Sequence, residues 1–167
     1  MNVTIASRQR ARKINRRLLK QITAALLADL KIEKADLGIH LVAAPEMTCL
    51  NEKYLRHAGP TDVIAFDYGF GVPPSGGFPS NHSRRTNRLK PELQTLWGEI
   101  FVCVDEAVLQ ARKFGTSWQS EMVRYIIHGI LHLLGFDDSC AVARRKMKRE
   151  EDRRLRAIAR RFPLSKP

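Results

Sequence analysis

The chain is poor in the features of disulfide-linked, secreted or membrane-spanning proteins. Its 167 residues include three cysteines, Cys49, Cys103 and Cys140, an odd number without a CxxC pair, which argues against a disulfide framework. We interpret these cysteines as small apolar side chains, as expected for a protein in a reducing compartment. No apolar run follows the basic amino terminus to form a signal peptide, and no stretch is long enough to span a bilayer. We therefore expect a soluble protein of the cytoplasm.

Acidic residues are also scarce. The chain has 17 Asp and Glu against 29 Lys and Arg, so its formal net charge is +12. This excess predicts an acidic partner such as ribosomal RNA, because Lys and Arg neutralise phosphates and release their counterions. The alternative is a solvated basic surface that only aids solubility. Two segments that look helical, "RQRARKINRRLLK" and "ARRKMKREEDRRLRAIARR", hold much of the basic charge.

The order of apolar patterns predicts the fold. With 44% hydrophobic residues, the chain can bury one core, and we expect residues 1–167 to form a single small α+β domain. Four strands of one mixed sheet are predicted at residues 2–6, 36–45, 62–68 and 96–105. Helices are predicted at residues 8–30, 45–59, 106–115 and about 140–161, with a buried central helix capped by Ser117 or Ser120. A Gly-, Pro-, Ser- and Asn-rich segment at about residues 69–90 predicts a mobile surface loop.

The stretch "HGILHLLGFDDS" on the central helix is the most informative part of the chain. His128 and His132 lie one helical turn apart, so their imidazoles can converge on one ion. The pair alone is weak evidence for a metal site, since histidines are common in protein cores. However, Gly135 can end the helix with a left-handed turn, and Asp138 can then swing back as a third ligand. This spacing is that of extended zinc helices and predicts one zinc ion per chain.

The number of ligands separates a catalytic site from a structural one. Two histidines and one carboxylate leave a coordination position open for water or substrate. Cys140 is the nearest residue that could close the site, although a thiolate so near Asp138 in sequence would strain the turn. Asp137 is a second alternative, either as the ligand in place of Asp138 or as an acceptor that orients a ligating imidazole. The open set of three ligands favours a catalytic site over a structural one.

The residue after His128 bears on the reaction. A zinc protease helix places a glutamate beside its first histidine to deprotonate the bound water, and here that position is Gly129. A peptidase is therefore disfavoured, whereas a phosphodiester substrate suits a basic protein.

Three segments carry a family resemblance. "HGILHLLGFDD", with "LNEKYLRHAGPTDVIAFDY" upstream and "LWGEIFV" between them, resembles the bacterial YbeY family of metal-dependent endoribonucleases and ribosomal RNA maturation factors. The match covers roughly residues 37–147 in order. It implies a four-stranded sheet with the metal helix beside it, and cleavage of single-stranded RNA in processing of the 3′ end of small-subunit ribosomal RNA. It also implies His128, His132 and Asp138 as the zinc ligands, and proteins of the small ribosomal subunit as partners.

The chain departs from the family at two positions. Asp138 stands where the family usually has a third histidine, and its negative charge should make a metal-bound water less acidic. The family's arginine directly follows the aromatic residue of its LNxxY segment, whereas Leu55 follows Tyr54 here and Arg56 comes one residue later. We expect Arg56 to face the substrate phosphate and stabilise developing charge. The alternative is a surface arginine at the end of a short helix.

The resulting hypothesis is zinc-assisted cleavage of an RNA phosphodiester, with Arg56 supporting the charge and either water or the 2′-hydroxyl of RNA as the nucleophile. Thr61 and Asp62 match the family pattern and are expected to cap the turn into a strand. One alternative is an RNA-binding ribosome-assembly factor in which zinc only stabilises the fold. The other is a metallopeptidase, against which Gly129 and the positive charge argue.

Overall fold

The computed structural model describes residues 1–69 and 95–164. The strands are β1 (Asn2–Ser7), β2 (Lys34–Val42), β3 (Val63–Asp67) and β4 (Thr95–Cys103). The α-helices are α1 (Arg16–Asp29), α2 (Ala44–Leu50), α3 (Val104–Phe114), α4 (Trp118–Leu133) and α5 (Ala141–Arg161), and a π-helix, Asn51–Leu55, follows α2. Apart from Gly69, the loop predicted at about residues 69–90 lies outside the described residues.

The strands form one mixed sheet, as predicted. Its order is β1-β2-β4-β3, with β1 and β4 parallel to β2, and β3 antiparallel to β4. Alternate residues of the central strand β2, Leu37, Ile39 and Leu41, are fully buried. Because side chains alternate between the faces of a strand, these residues form one apolar face against which helices pack. The predicted α+β class is confirmed.

Helix α4 is the buried centre of the domain. Ser117 caps it, since the Ser117 hydroxyl accepts a hydrogen bond from the Ser120 amide at 3.1 Å, which decides between the two predicted caps. Most residues of the helix are buried against the sheet and the other helices. A Cβ at Gly129 would lie 2.8 Å from Cγ2 of Ile100 on β4. The glycine therefore allows the helix to pack closely against the sheet, and a glutamate there would clash with the core.

Two predicted helices have different bounds in the structure. The first begins at Arg16 instead of residue 8, because the Arg8 amide bonds to the Leu41 carbonyl at 2.9 Å and keeps that part of the chain beside β2. The helix predicted at residues 45–59 is α2 followed by the π-helix, and it ends at Arg56, whose φ is 58°. Gly59, predicted to close the helix, has a positive φ in the turn that follows. Among the described residues, no helix is both long and apolar enough to cross a membrane.

Candidate metal centre

The chain reverses direction directly after the second histidine. Gly135 has a φ of 83°, and its amide bonds to the His132 carbonyl at 2.8 Å, while the Phe136 amide bonds to the Leu131 carbonyl at 3.0 Å. This pair of bonds is a Schellman motif, which satisfies the last carbonyls of α4 and turns the chain back along the helix. The predicted glycine turn is therefore present, and it returns Asp138 to the face that carries both histidines.

Three side chains converge after this turn. The Nε2 atoms of His128 and His132 are 2.9 Å apart, and Oδ2 of Asp138 lies 3.9 Å and 4.0 Å from them. One ligand atom from each residue lies within 4.8 Å of the other two, and all three residues are partly exposed. A tetrahedral zinc ion with ligands at about 2.0 to 2.1 Å holds its donor atoms roughly 3.3 Å apart. Changes of about 0.4 to 0.7 Å in these separations would therefore let the three atoms share one cation.

The other ring nitrogens are held by acceptors. Nδ1 of His128 lies 2.8 Å from Oε2 of Glu151, and Nδ1 of His132 lies 3.1 Å from the Phe136 carbonyl. A carboxylate and a carbonyl only accept hydrogen bonds, so each Nδ1 carries the hydrogen and each neutral ring presents a lone pair at Nε2. Two lone pairs that meet at this distance repel each other unless a cation lies between them. The donor set and its tautomers fit a metal ion.

Glu151 contacts the candidate metal centre and was not among the residues predicted from the sequence. It is 6% exposed, and besides His128 it contacts Arg124, whose Nη1 lies 3.4 Å from Oε1. Arg124 in turn bonds Asp152 at 2.6 Å, so α5 braces the metal-site face of α4. A carboxylate that accepts the second nitrogen of a ligating histidine fixes the orientation of the ring. The available signal was an acidic residue within the apolar stripe of α5, whose buried members are Met147, Glu151, Leu155 and Ile158.

The two histidines have opposite pKa shifts. Burial lowers the pKa of His128, but the hydrogen bond and charge of Glu151, with the charges of Asp62 and Asp138, raise it above its ordinary value. Burial and the neighbouring His128 lower the pKa of His132. His128 therefore binds a proton more readily than His132 does, because only His128 has a carboxylate partner at Nδ1.

The structure distinguishes Asp138 from the two alternative ligands. The Asp137 carboxylate accepts hydrogen bonds from the amide and hydroxyl of Ser139, which lower its pKa. Cys140 is exposed and precedes the first turn of α5. Only Asp138 of these three forms a group with both histidines in the described part of the chain.

Arg56 lies at the left-handed end of the π-helix, is exposed, and makes no hydrogen bond or ion pair with the residues that the structure describes. Asn51, whose amide donates to the Gly59 carbonyl at 2.8 Å, closes the loop that carries it. Beyond this loop, Asp62 accepts hydrogen bonds from the Thr61 hydroxyl and the Val63 amide, as the predicted capping role requires. The Asp62 charge also raises the pKa of His128, so this segment lies within electrostatic reach of the centre.

Comparisons with known proteins find matches over most of the chain. The family model described as Endoribonuclease YbeY matches residues 2–159. An Endoribonuclease YbeY from Elusimicrobium minutum is 32% identical over 136 residues, which are 81% of this chain and 83% of that protein. The solution structure of TM1509 from Thermotoga maritima matches with a TM-score of 0.55 and 21% identity, covers 93% of this chain and 88% of that chain, and shows a common fold.

Other relatives match over a smaller share of their length. The Endoribonuclease YbeY of Salinibacter ruber is 35% identical over 109 residues, which are 65% of this chain and 61% of that protein. The protein of the same name from Chlorobium luteolum is 35% identical over 111 residues, 66% of this chain and 65% of that protein. The chain thus spans less than two thirds of the length of these two relatives.

Proposed function

This chain belongs to the YbeY endoribonuclease family, and on that premise we propose that it is a zinc-dependent endoribonuclease that cleaves single-stranded RNA. Its substrate is ribosomal RNA, and its role is processing of the 3′ end of the small-subunit RNA during ribosome maturation. In this proposal residues 1–167 form one YbeY-like domain that acts in the cytoplasm, with proteins of the small ribosomal subunit as partners.

One observation carries the proposal: His128, His132 and Asp138 direct three donor atoms at one point, on a chain with a net charge of +12. Three protein ligands leave a coordination position for a reacting group, as catalytic zinc sites require. The positive charge attracts a polyanion to that position. A structural zinc site or a peptidase would explain only one of these two properties.

Each residue has a defined part in this reaction. Glu151 and the Phe136 carbonyl hold the two imidazoles with Nε2 facing the metal position. A zinc ion held there supplies Lewis-acid chemistry, which polarises a phosphoryl oxygen and acidifies water. We assign to Arg56, whose guanidinium is exposed, the binding of the substrate phosphate and the stabilisation of its developing charge. The residue after His128 is Gly129, so the position at which a zinc peptidase carries its catalytic glutamate has no carboxylate, which suits phosphodiester rather than peptide cleavage.

The test combines metal analysis with RNA cleavage. The purified protein should contain one zinc per chain and cleave unstructured RNA, and a chelator should abolish the cleavage. His128→Ala and His132→Ala should fold but lose both properties. Asp138→Ala should lose zinc, whereas the matched control Asp137→Ala should retain it, because the Asp137 carboxylate accepts hydrogen bonds from Ser139 and is not part of the group of three.

Two results would contradict the proposal. Cleavage that persists unchanged in folded histidine variants would point to another site or to a contaminant. A protein that binds zinc and RNA without any cleavage would instead be an RNA-binding assembly factor with a structural metal.

Arg56→Ala, with Lys53→Ala as a neighbouring control, should lower the cleavage rate about 10² to 10³-fold without loss of zinc, if Arg56 stabilises transition-state charge.

A further inference from the structure

Helix α5 holds most of the chain's excess charge. It contains ten Lys and Arg and three Asp and Glu, and so it contributes seven of the twelve net positive charges. It is fully described, and its buried side packs against α4 and α1. Metal coordination does not require this charge, because α5 contacts the ligating side chains through Glu151, an acid, while Arg144 reaches only the backbone carbonyl of Asp138.

Five arginines of α5 form one row, which we call the arginine stripe: Arg145, Arg149, Arg153, Arg156 and Arg160. At 100° per residue, these positions fall within an arc of about 80° and extend roughly 22 Å along the helix axis. All five are exposed, on the side opposite the buried stripe that includes Glu151. The result is a straight row with about one guanidinium per helical turn.

The charge of the stripe is largely uncompensated. Glu151 and Asp152 face Arg124, and Glu150 pairs with Arg153 at 2.7 Å. The other four arginines of the stripe have no carboxylate partner among the described residues. By contrast, three of the five basic residues outside the stripe pair with carboxylates: Lys148 with Asp152, Arg154 with Glu150, and Arg161 with Asp29. Of the other two, Arg144 donates to the Asp138 carbonyl and Lys146 lies over the Phe136 ring. The helix therefore concentrates its free charge on one face.

The chemistry of the stripe favours phosphate over other acidic partners. It consists of arginines alone, while Lys146 and Lys148 of the same helix lie outside it. Arginine binds phosphate oxygens in a bidentate manner and is weakly hydrated. Membrane-surface helices also present an apolar face, but that of α5 is buried in the core, and Val142 at its start is its only exposed large apolar residue.

The absence of aromatic residues from α5 indicates the form of the nucleic acid. Proteins that bind single strands usually stack the bases on aromatic side chains, whereas double-stranded RNA is recognised largely by its shape and its phosphates. The first turn of α5 adjoins the metal centre, because α5 starts three residues after Asp138 and Nε of Arg144, the residue before the first arginine of the stripe, donates to the Asp138 carbonyl at 3.2 Å. RNA that reaches the centre can therefore continue along the helix.

We propose that the arginine stripe is a second RNA-binding surface, which holds the phosphate backbone of a double-stranded segment adjoining the cleaved strand. The inference rests on the proposed function in taking RNA as the substrate. It differs in assigning duplex affinity to α5 and cleavage to the metal centre, so the two can be tested separately.

The experiment measures binding of the zinc-loaded protein to a blunt-ended RNA duplex by fluorescence anisotropy at several salt concentrations. The stripe variant replaces Arg145, Arg149, Arg156 and Arg160 with Gln. The matched control replaces Arg10, Arg16, Arg17 and Lys20 with Gln, which removes the same charge from exposed positions near the amino terminus. If each stripe arginine meets one phosphate, the stripe variant should bind more than about tenfold more weakly, and its salt slope should fall by about 3 to 4. The control should keep the parental slope.

Four outcomes decide the proposal. The expected slope loss in the stripe variant alone supports it, and the two pair variants Arg145/Arg149→Gln and Arg156/Arg160→Gln should each show about half of that loss. Equal weakening in stripe variant and control would reduce the effect to net charge and overturn it. Unchanged duplex binding by the stripe variant would also overturn it. So would a stripe variant that loses binding to ribosomal proteins but still binds the RNA duplex. All variants should cut a short single-stranded oligonucleotide at the parental rate, and an inactive parent would refute the proposed function without affecting the duplex result.

Discussion

Replacement of Glu151 by Gln is the sharpest test of how α5 supports the metal centre. The substitution keeps the size of the side chain and an oxygen that can accept from Nδ1 of His128, 2.8 Å away in the structure. It removes the negative charge, which makes this hydrogen bond charge-assisted and raises the pKa of His128. The ring should therefore stay in place but become a less basic ligand.

The expected magnitude follows from these contacts. Removing a carboxylate that orients a ligating histidine typically lowers metal affinity 10- to 100-fold. Glu151→Gln should lower the affinity for zinc about tenfold, or by about 1.4 kcal/mol, since a hydrogen bond to Nδ1 of His128 survives. Glu151→Ala should approach a hundredfold, because it leaves the Nδ1 hydrogen unpaired and deprives the half-buried Arg124 of one partner.

The assay is competition for zinc with a chromophoric chelator at neutral pH. Glu150→Gln is the matched control: it makes the same charge change one residue away, where the side chain pairs with Arg153 and Arg154. Urea unfolding of the metal-free variants separates loss of stability from loss of affinity. If Glu151→Gln and Glu150→Gln bind zinc as tightly as the parent, the orienting role of Glu151 is refuted.

Three further predictions concern the fold and the site. Gly129→Ala should lower the free energy of unfolding by about 1 to 3 kcal/mol, because the new methyl group meets Ile100 at 2.8 Å; urea denaturation with an unchanged midpoint would show that the helix can shift at no cost. Asp138→His should retain zinc and move the pH–rate profile of RNA cleavage to lower pH, since a neutral imidazole leaves more positive charge at the centre; an unmoved profile would contradict this. Burial raises the pKa of Asp152, but Arg124 and Lys148 outweigh this effect and hold the pKa below its ordinary value. The charged carboxylate therefore stabilises the fold at any pH above its ordinary pKa, and this stabilisation is lost as the pH falls through the pKa of the folded state. Asp152→Asn should therefore lower the melting temperature at pH 7 but not in acid, and a gap that is independent of pH would be inconsistent with this linkage.

Features that depend on neighbours in sequence were predictable. The cap at Ser117, the left-handed Gly135 and the one-turn spacing of His128 and His132 each follow from bonds within a few residues. The mixed sheet was also predictable, because the central strands are buried and read as apolar runs. Two differences between the predicted and the observed helices arise from contacts between residues that are further apart in the sequence. The first helix starts at Arg16 because the Arg8 amide bonds to the Leu41 carbonyl. Helix α2 continues as the π-helix Asn51–Leu55, and the Asn51 side chain closes the turn that follows by bonding to the Gly59 carbonyl.

The sequence alone thus determined the fold class, the glycine turn and the one-turn spacing of the two histidines, and it left Asp138, Asp137 and Cys140 as candidates for the third ligand. Only the tertiary structure revealed that Glu151 reaches His128, 23 positions earlier, and that Asp137 bonds to Ser139 instead of joining the group. It also separated the paired basic residues of α5 from the arginine stripe, in which only Arg153 has a carboxylate partner among the described residues. The physical reason is that ligand spacing is set by one helix and one turn, whereas the partner of a charged or ligating side chain is chosen by the packing of α5 against α4.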